Sequence, residues 1–302
     1  FEATTSLTGA RQNGNTISTT LDYADWHFAR KTDTTYYNYN QARITGWKYL
    51  STNSTDAEAS AVLKQGADQN KLEYTSSWHG AHSSVIDYFF KRAPSFFDVV
   101  TYTGTGLTHT INHNLGVVPE MIWIKSRDSS SENWVVFHEG AGTLNNTFFP
   151  LLFLNSTAAA TSDEDFTSQG MPTATSFTLN GTDRVNTYLG HDYIAYLFAT
   201  VAGVSKVGSY TGTGSDQNID CGFSSGARFV LIKRTDMAEN WYVFDTVRGI
   251  VSGNDPLLML NNTTAESSGV DFVDPHSSGF TVVGSDSSRN ASGASYIFYA
   301  IA

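Results

Sequence analysis

The stretch INHNLGVVPEMIWIKS (111–126) lies over IDCGFSSGARFVLIKR (219–234) at one constant offset, with Ile111 on Ile219, Ile122 on Val230 and Ile124 on Ile232. Downstream, NWVVF (133–137) matches NWYVF (240–244), PLLFLNST (150–157) matches PLLMLNNT (256–263), and YIAYLF (193–198) matches YIFYAI (296–301). Four matches in one order mark an internal repeat, and a period of about 100 residues is a whole domain's length. A fainter third copy fills the start of the chain. FARKTD (28–33) reads against LIKRTD (231–236), YNYNQAR (37–43) against YVFDTVR (242–248), NSTDAEAS (53–60) against NNTTAESS (261–268), and VIDYFF (85–90) against YIAYLF. A Thr-Gly pair opens each copy, at Gly9, Gly104 and Gly212.

The copies therefore span 1–93, a divergent first module, then 94–203 and 204–302. Their junctions, KRAPSFF (91–97) and ATVAGVSK (199–206), are not the Gly/Ser-rich or Pro-rich runs of flexible linkers, so the modules are expected to pack rigidly. Within a copy, MIWIK (121–125), NWVVF, SFTL (176–179) and YIAYLF are short β-branched and aromatic runs separated by turn residues. The fold class is all-β: three tandem β-sandwich-like modules. FVLI (229–232) is apolar throughout, as in strands covered on both faces. DAEASAVLKQ (56–65), with Asp56 as a cap, predicts one helical turn.

Composition agrees. Only 16% of the 302 residues are charged while 13% are aromatic. The net charge of −11 argues against nucleic acid, whose binding needs a basic face. Cys221 is the sole cysteine, so no internal disulfide forms. No apolar run reaches the ~20 residues of a membrane span, and FEATTSLTGA lacks the pattern of a signal peptide. The opening on Phe1 suggests a processed or partial piece of a longer protein. Seven Asn-x-Ser/Thr sequons, Asn53, Asn155 and Asn290 among them, are read as chance products of a Ser/Thr/Asn-rich chain.

The repeat also controls the reading of chemical motifs, because each residue can be compared with its sister slots. Gly222-Phe223-Ser224-Ser225-Gly226, followed by Asp271 and His276, has the order of a hydrolase triad, but a strand follows where the nucleophile elbow needs a helix. His109 and His113 lie four positions apart on a strand, roughly 13 Å, too far to share one ion. The His113 slot holds Cys221 in the last copy and Thr19 in the first, as a small half-buried site would. His79 and His82 form a polar loop, and SDED (162–165) reads as a solvated loop tip. TGTG (103–106 and 211–214) is read as a turn opening each module, since no helix N-terminus follows to meet a phosphate. Trp134 and Trp241 share a slot and read as core anchors. The candidate binding residues are Tyr36, Tyr37, Trp47, Trp78 and His79 of the divergent copy, as exposed aromatic and polar contacts. No catalytic residue, metal site or cofactor is assigned.

With those motifs, the chain resembles a repeat domain of unknown function found in tail-fibre-like virion proteins of marine phages. The resemblance lies in FFDVVTYTGTG (96–106), INHNLGVVPEMIWIK, NWVVFH (133–138), LNSTAA (154–159), YIAYLFA (193–199), KVGSYTGTG (206–214), ARFVLIKRTD (227–236), FDTVRGI (244–250) and GFTV (279–282). It implies a virion location on a tail fibre or other exterior appendage. It also implies several chain copies, with a homotrimer the expected arrangement and other virion proteins as partners, and a structural role in host attachment through a surface glycan. The lack of a catalytic constellation and of a long apolar run adds the expectation of no enzymatic activity and no membrane insertion. The competing expectations are a fibre-borne polysaccharide depolymerase or esterase, and a head-fibre or tail-adaptor protein without receptor binding.

Overall fold

The computed structural model describes residues 1–6, 16–61, 63–74, 84–142, 150–161, 170–182 and 184–302. Among them are strands and two 3-10 turns but no α-helix. The first third contributes Glu2–Ser6 (β1), Thr16–Ser18 (β2), Trp26–Lys31 (β3), Tyr39–Ala42 (β4), Tyr49–Ser51 (β5), Leu63–Gln65 (β6), Lys71–Tyr74 (β7) and Val85–Phe90 (β8). The second contributes Phe97–Thr103 (β9), His109–Asn112 (β10), Met121–Ser126 (β11), Val135–His138 (β12), Leu152–Phe153 (β13), Ser176–Leu179 (β14) and Asp192–Phe198 (β15). The last contributes Ser205–Thr211 (β16), Gln217–Asp220 (β17), Phe229–Arg234 (β18), Trp241–Asp245 (β19), Asp255–Met259 (β20), Ser267–Val270 (β21), Val273–His276 (β22), Gly279–Val282 (β23) and Ser295–Ile301 (β24).

Each third holds one large and one small antiparallel sheet. The large sheets run β1-β8-β3-β4-β5, β13-β12-β11-β15-β9 and β16-β24-β18-β19-β20-β21. Read from the first strand of each third, all three share the order first, last, third, fourth, fifth, and the last third adds β21 beyond it. The small sheets, β2-β7-β6, β10-β14 and β17-β23-β22, cover their outer faces.

Side chains alternate between two cores along every central strand, as the two-residue period of a strand requires. In β11, Ile122 and Ile124 point into the sandwich of the second third, whereas Met121 and Trp123 point the other way. Val230 and Ile232 of β18 face the last third's sandwich, and Phe229 and Leu231 face inward. Those inward residues form one cluster drawn from all three large sheets. Trp26 meets Trp123 edge-on at 5.9 Å between centroids, Phe198 meets Tyr299 at 5.1 Å, and Tyr88 meets Phe229 at 5.4 Å. Only a void of about 10 Å³ remains among Trp26, Phe28, Trp123, Phe198, Phe229 and Tyr299. The apolar strand runs are thus covered on one face by their own small sheet and on the other by the neighbouring thirds.

The seams between thirds repeat one hydrogen-bond set. Trp134 Nε1 donates to Ser51 O (2.9 Å), Trp241 Nε1 to Phe153 O (3.0 Å), and Asn38 Nδ2 to Leu260 O (2.7 Å). The backbone N–H groups of Asn38, Trp134 and Trp241 each donate to an asparagine, Asn53, Asn155 and Asn261 respectively. Glu58 N–H donates to Arg127 O, Ala160 N–H to Thr235 O, and Glu266 N–H to Thr32 O. The asparagine bonds lie within each third, while the other two sets run from third to third until each returns to its start, so the arrangement is closed.

Two local expectations need correction. Among the described residues of 56–65 there is no helical turn: the backbone N–H groups of Glu58 and Ala59 donate to Arg127 O and Tyr49 O, and Leu63–Gln65 is strand β6. Seam bonds with a distant segment outweigh a weak local propensity. YNYNQAR also sits two residues away from its sequence pairing with YVFDTVR. Tyr39 lies opposite Ala29 as Tyr242 lies opposite Ile232, so Tyr39 and not Tyr37 fills the Tyr242 slot.

Arg30, Lys125 and Lys233 share one register position, opposite Ile86, Ile194 and Ile297, and all three are buried. The Lys125 ammonium donates to the carbonyls of Ser126 and Ser129, and that of Lys233 to Thr157 O in the neighbouring third. Burial pushes both ammonium groups down to about 8, against the weaker opposing pull of Glu132 on Lys125 and Glu239 on Lys233. Between that pH and an ordinary lysine value of about 10.4, the unfolded chain holds two protons that the folded chain has released, so stability rises with pH. Urea titrations at pH 7.5 and 9.5 are expected to show a gain of about 1–2 kcal/mol per lysine, which Lys125→Met with Lys233→Met removes. Equal slopes in the parent and the double variant would contradict this.

Candidate functional site

The loop between β3 and β4 is pinned to the last third. Tyr36 N–H donates to Thr263 O (3.0 Å), and the Arg30 guanidinium spans Tyr36 O and Thr264 O. This holds Tyr36 and Tyr37 beside Tyr39 on β4 and Tyr49 on β5. The rings form a continuous set: Tyr36–Tyr37 at 6.1 Å edge-on, Tyr36–Tyr39 at 5.8 Å stacked, and Tyr39–Tyr49 at 4.7 Å edge-on. The Lys31 ammonium sits 4.2 Å above the Tyr36 ring. Together with Ser51 and Asp56 the four tyrosines line a groove of about 340 Å³, within the range of small-ligand sites. Tyr37 is 47% exposed. Burial raises the Tyr49 hydroxyl above its ordinary value, helped by Tyr36, Asp56 and Tyr37, so it stays protonated and able to donate.

Register places Glu132 and Glu239 in the Tyr36 slot, and Asn133 and Asn240 in the Tyr37 slot. Those asparagines are structural, since Asn155 Nδ2 donates to Asn133 Oδ1 and Asn261 Nδ2 to Asn240 Oδ1, both at 2.8 Å. The first third has Tyr37 in place of that bond. Leu151 and Leu257 stand where Tyr49 does. Tyr36, Tyr37 and Tyr49 are therefore departures of the first third, not requirements of the strand layout, whereas Tyr39 shares its slot with Tyr242.

Of the residues chosen from sequence, only Tyr36 and Tyr37 are brought together in the groove. Trp47 corrects the expectation of a surface ring: it is 3% exposed, packed in the first third's own core, with a left-handed backbone (φ 63°) that turns it inward after the 3-10 turn Arg43–Thr45. Trp78 and His79, with His82 and the SDED stretch, lie outside the described residues. Tyr39 and Tyr49 carry no mark in the sequence, and Asp56 reads there only as a helix cap. The alternation of Tyr37 and Tyr39 places both on one strand face and could have suggested Tyr39, but the two-residue shift put Tyr37 in the slot that Tyr39 fills.

The remaining motifs have structural explanations. Gly222–Gly226 is a turn between β17 and β18 with left-handed glycines at both ends, and no helix follows. His276 Nδ1 faces Ser278 Oγ at 3.2 Å, and Asp271 Oδ1 makes no hydrogen bond. In TGTG, a Cβ on Gly104 or Gly212 would lie 2.5 Å from Tyr188 O or 2.2 Å from Ala291 O, so only glycine permits that backbone approach. Gly106 and Gly214 then turn left-handed. Thr19, His113 and Cys221 are all buried, their N–H groups donating to Asn70 O, Thr175 O and Ser278 O. Three sequon asparagines are occupied by structure: Asn53 and Asn155 accept backbone N–H bonds across their sheets, and Asn290 is fully buried, bonded to Thr213 N–H, Ser215 O and Gly284 O. Among the described residues no group of three His, Cys, Asp or Glu is placed to hold a metal.

The molecule is thus an all-β protein of paired antiparallel sheets with an aromatic groove on its first third. Residues 75–302 match the family model described as Domain of unknown function (DUF7483), and the chain belongs to that family. The match begins ahead of β8, inside the first third. No curated protein matches the chain, and no solved structure does either.

Proposed function

We propose that this chain is a structural and attachment segment of an exterior virion appendage, of tail-fibre or spike type, without enzymatic activity. The observation that carries the reading is the closed core. Three large sheets bury their inner faces against one another, which makes a rigid block whose small sheets and loops face outward. We read the common strand order as three copies of one module, built for rigidity, with the first copy diverged for contact. Such a block suits an appendage that must hold a binding surface at a distance. The resemblance to tail-fibre-like virion proteins supports the location. Because the inner faces are already covered within one chain, assembly into a homotrimer would use outer surfaces.

Incubating the purified chain with host cells and with their isolated surface polysaccharide tests this. Retention on cells with no release of reducing ends is expected. Release of reducing ends, lost on substitution of an Asp or Ser, would overturn the non-enzymatic reading in favour of a depolymerase or esterase.

A further inference from the structure

We infer that the groove of Tyr37, Tyr49, Ser51 and Asp56 is a saccharide site, and that its ligand is a neutral hexopyranose unit of a surface glycan. This names the ligand chemistry of the attachment role proposed above and rests on it.

Three observations converge. First, the aromatic lining replaces residues that the other two thirds use structurally. Tyr37 stands where Asn133 and Asn240 accept a hydrogen bond from Asn155 and Asn261, and it leaves half its surface in solvent. A large, half-exposed aromatic side chain in a slot where the other two thirds carry a bonded asparagine is not required to build the module. Second, the groove pairs aromatic faces with hydroxyl-binding groups. A pyranose presents C–H bonds on its faces and hydroxyls around its rim. A tyrosine face meets the first, while the exposed Asp56 carboxylate and the protonated Tyr49 hydroxyl accept from and donate to the second. Third, the volume of about 340 Å³ suits one or two sugar rings and is too small for a folded partner.

Charge selects within the class. Asp56 lines the groove, and the chain carries a net charge of −11, so a uronic or sialic acid would bring a carboxylate towards like charge. A neutral hexose meets no such repulsion.

The test is saturation-transfer NMR and calorimetric titration of the full chain with a panel of neutral hexose disaccharides and trisaccharides, beside uronic-acid-containing ones. Tyr37→Ala is the main variant. Tyr188→Ala, an exposed tyrosine of the second third, serves as control. Binding of at least one neutral oligosaccharide is expected, weakened about tenfold by Tyr37→Ala, as loss of one aromatic face implies, and unchanged by Tyr188→Ala. Asp56→Asn is expected to weaken binding with no change in unfolding midpoint. Absence of binding across the neutral panel, preference for the acidic sugars, or equal affinity in Tyr37→Ala would each overturn the assignment. Cell retention separates this from the attachment reading. Retention that survives Tyr37→Ala sinks the groove and leaves attachment standing. Saccharide binding without cell retention does the reverse.

Discussion

Trp134→Ala is expected to destabilise the whole chain by about 3–5 kcal/mol, the range for removing a large buried aromatic. The side chain has no exposure and is among the largest fully buried ones. Its loss opens a cavity beside Tyr196, whose ring lies 6.1 Å away. It also removes the indole donor to Ser51 O across the seam, and an unpaired buried carbonyl adds to the cost. Trp134→Phe separates the two contributions, because it keeps most of the volume and loses the donor. Chemical denaturation followed by fluorescence of the remaining tryptophans measures both. A loss below about 1 kcal/mol for Trp134→Ala would show that the seam contributes little to holding the thirds together.

Asp245→Ala is expected to cost about as much, roughly 3–5 kcal/mol, for an electrostatic reason. Asp245 is fully buried, and its carboxylate accepts from Arg248 Nε (2.5 Å), from the Arg248 backbone N–H (2.9 Å), and from the Tyr88 hydroxyl of the first third (2.7 Å). Removing it leaves the Arg248 guanidinium, itself nearly inaccessible, with Glu266 as its remaining acidic partner at 3.1 Å. A buried charge that loses its nearer counter-charge is worse than no charge. Asp245→Leu combined with Arg248→Met is therefore expected to recover much of the loss, and a double variant no better than Asp245→Ala would contradict this assignment. The positions at the same register in the other two thirds, Ala42 and His138, hold no such ion pair.

Strand positions were readable from sequence because apolar runs and turn residues recur at fixed offsets. The matched pairs Ile122 with Val230 and Ile124 with Ile232 do point into corresponding sandwiches. Trp134 and Trp241 are the core anchors their shared slot suggested. What the runs could not disclose is the cover on their second face. A strand buried on both sides looks the same whether a helix, another sheet or another chain lies over it. Asn38 shows the difficulty most clearly. It fills the slot of two tryptophans and bonds the same seam, yet no residue-type comparison would align asparagine with tryptophan. For that reason YNYNQAR was paired two residues out of step. The groove is half legible: Tyr36 and Tyr37 stand out as an aromatic pair in the first third, but Tyr39, Tyr49 and Asp56 join them only through the pairing of β4 with β5 and the pinning of the loop to the last third.

Scanning calorimetry of the full chain tests most directly whether three sheets build one core. Because the inward residues of every third pack in a single cluster, one transition is expected, with calorimetric and van't Hoff enthalpies equal and its midpoint lowered as a unit by Trp134→Ala. Two or three separate transitions, with only the second third's affected by that substitution, would contradict a shared core.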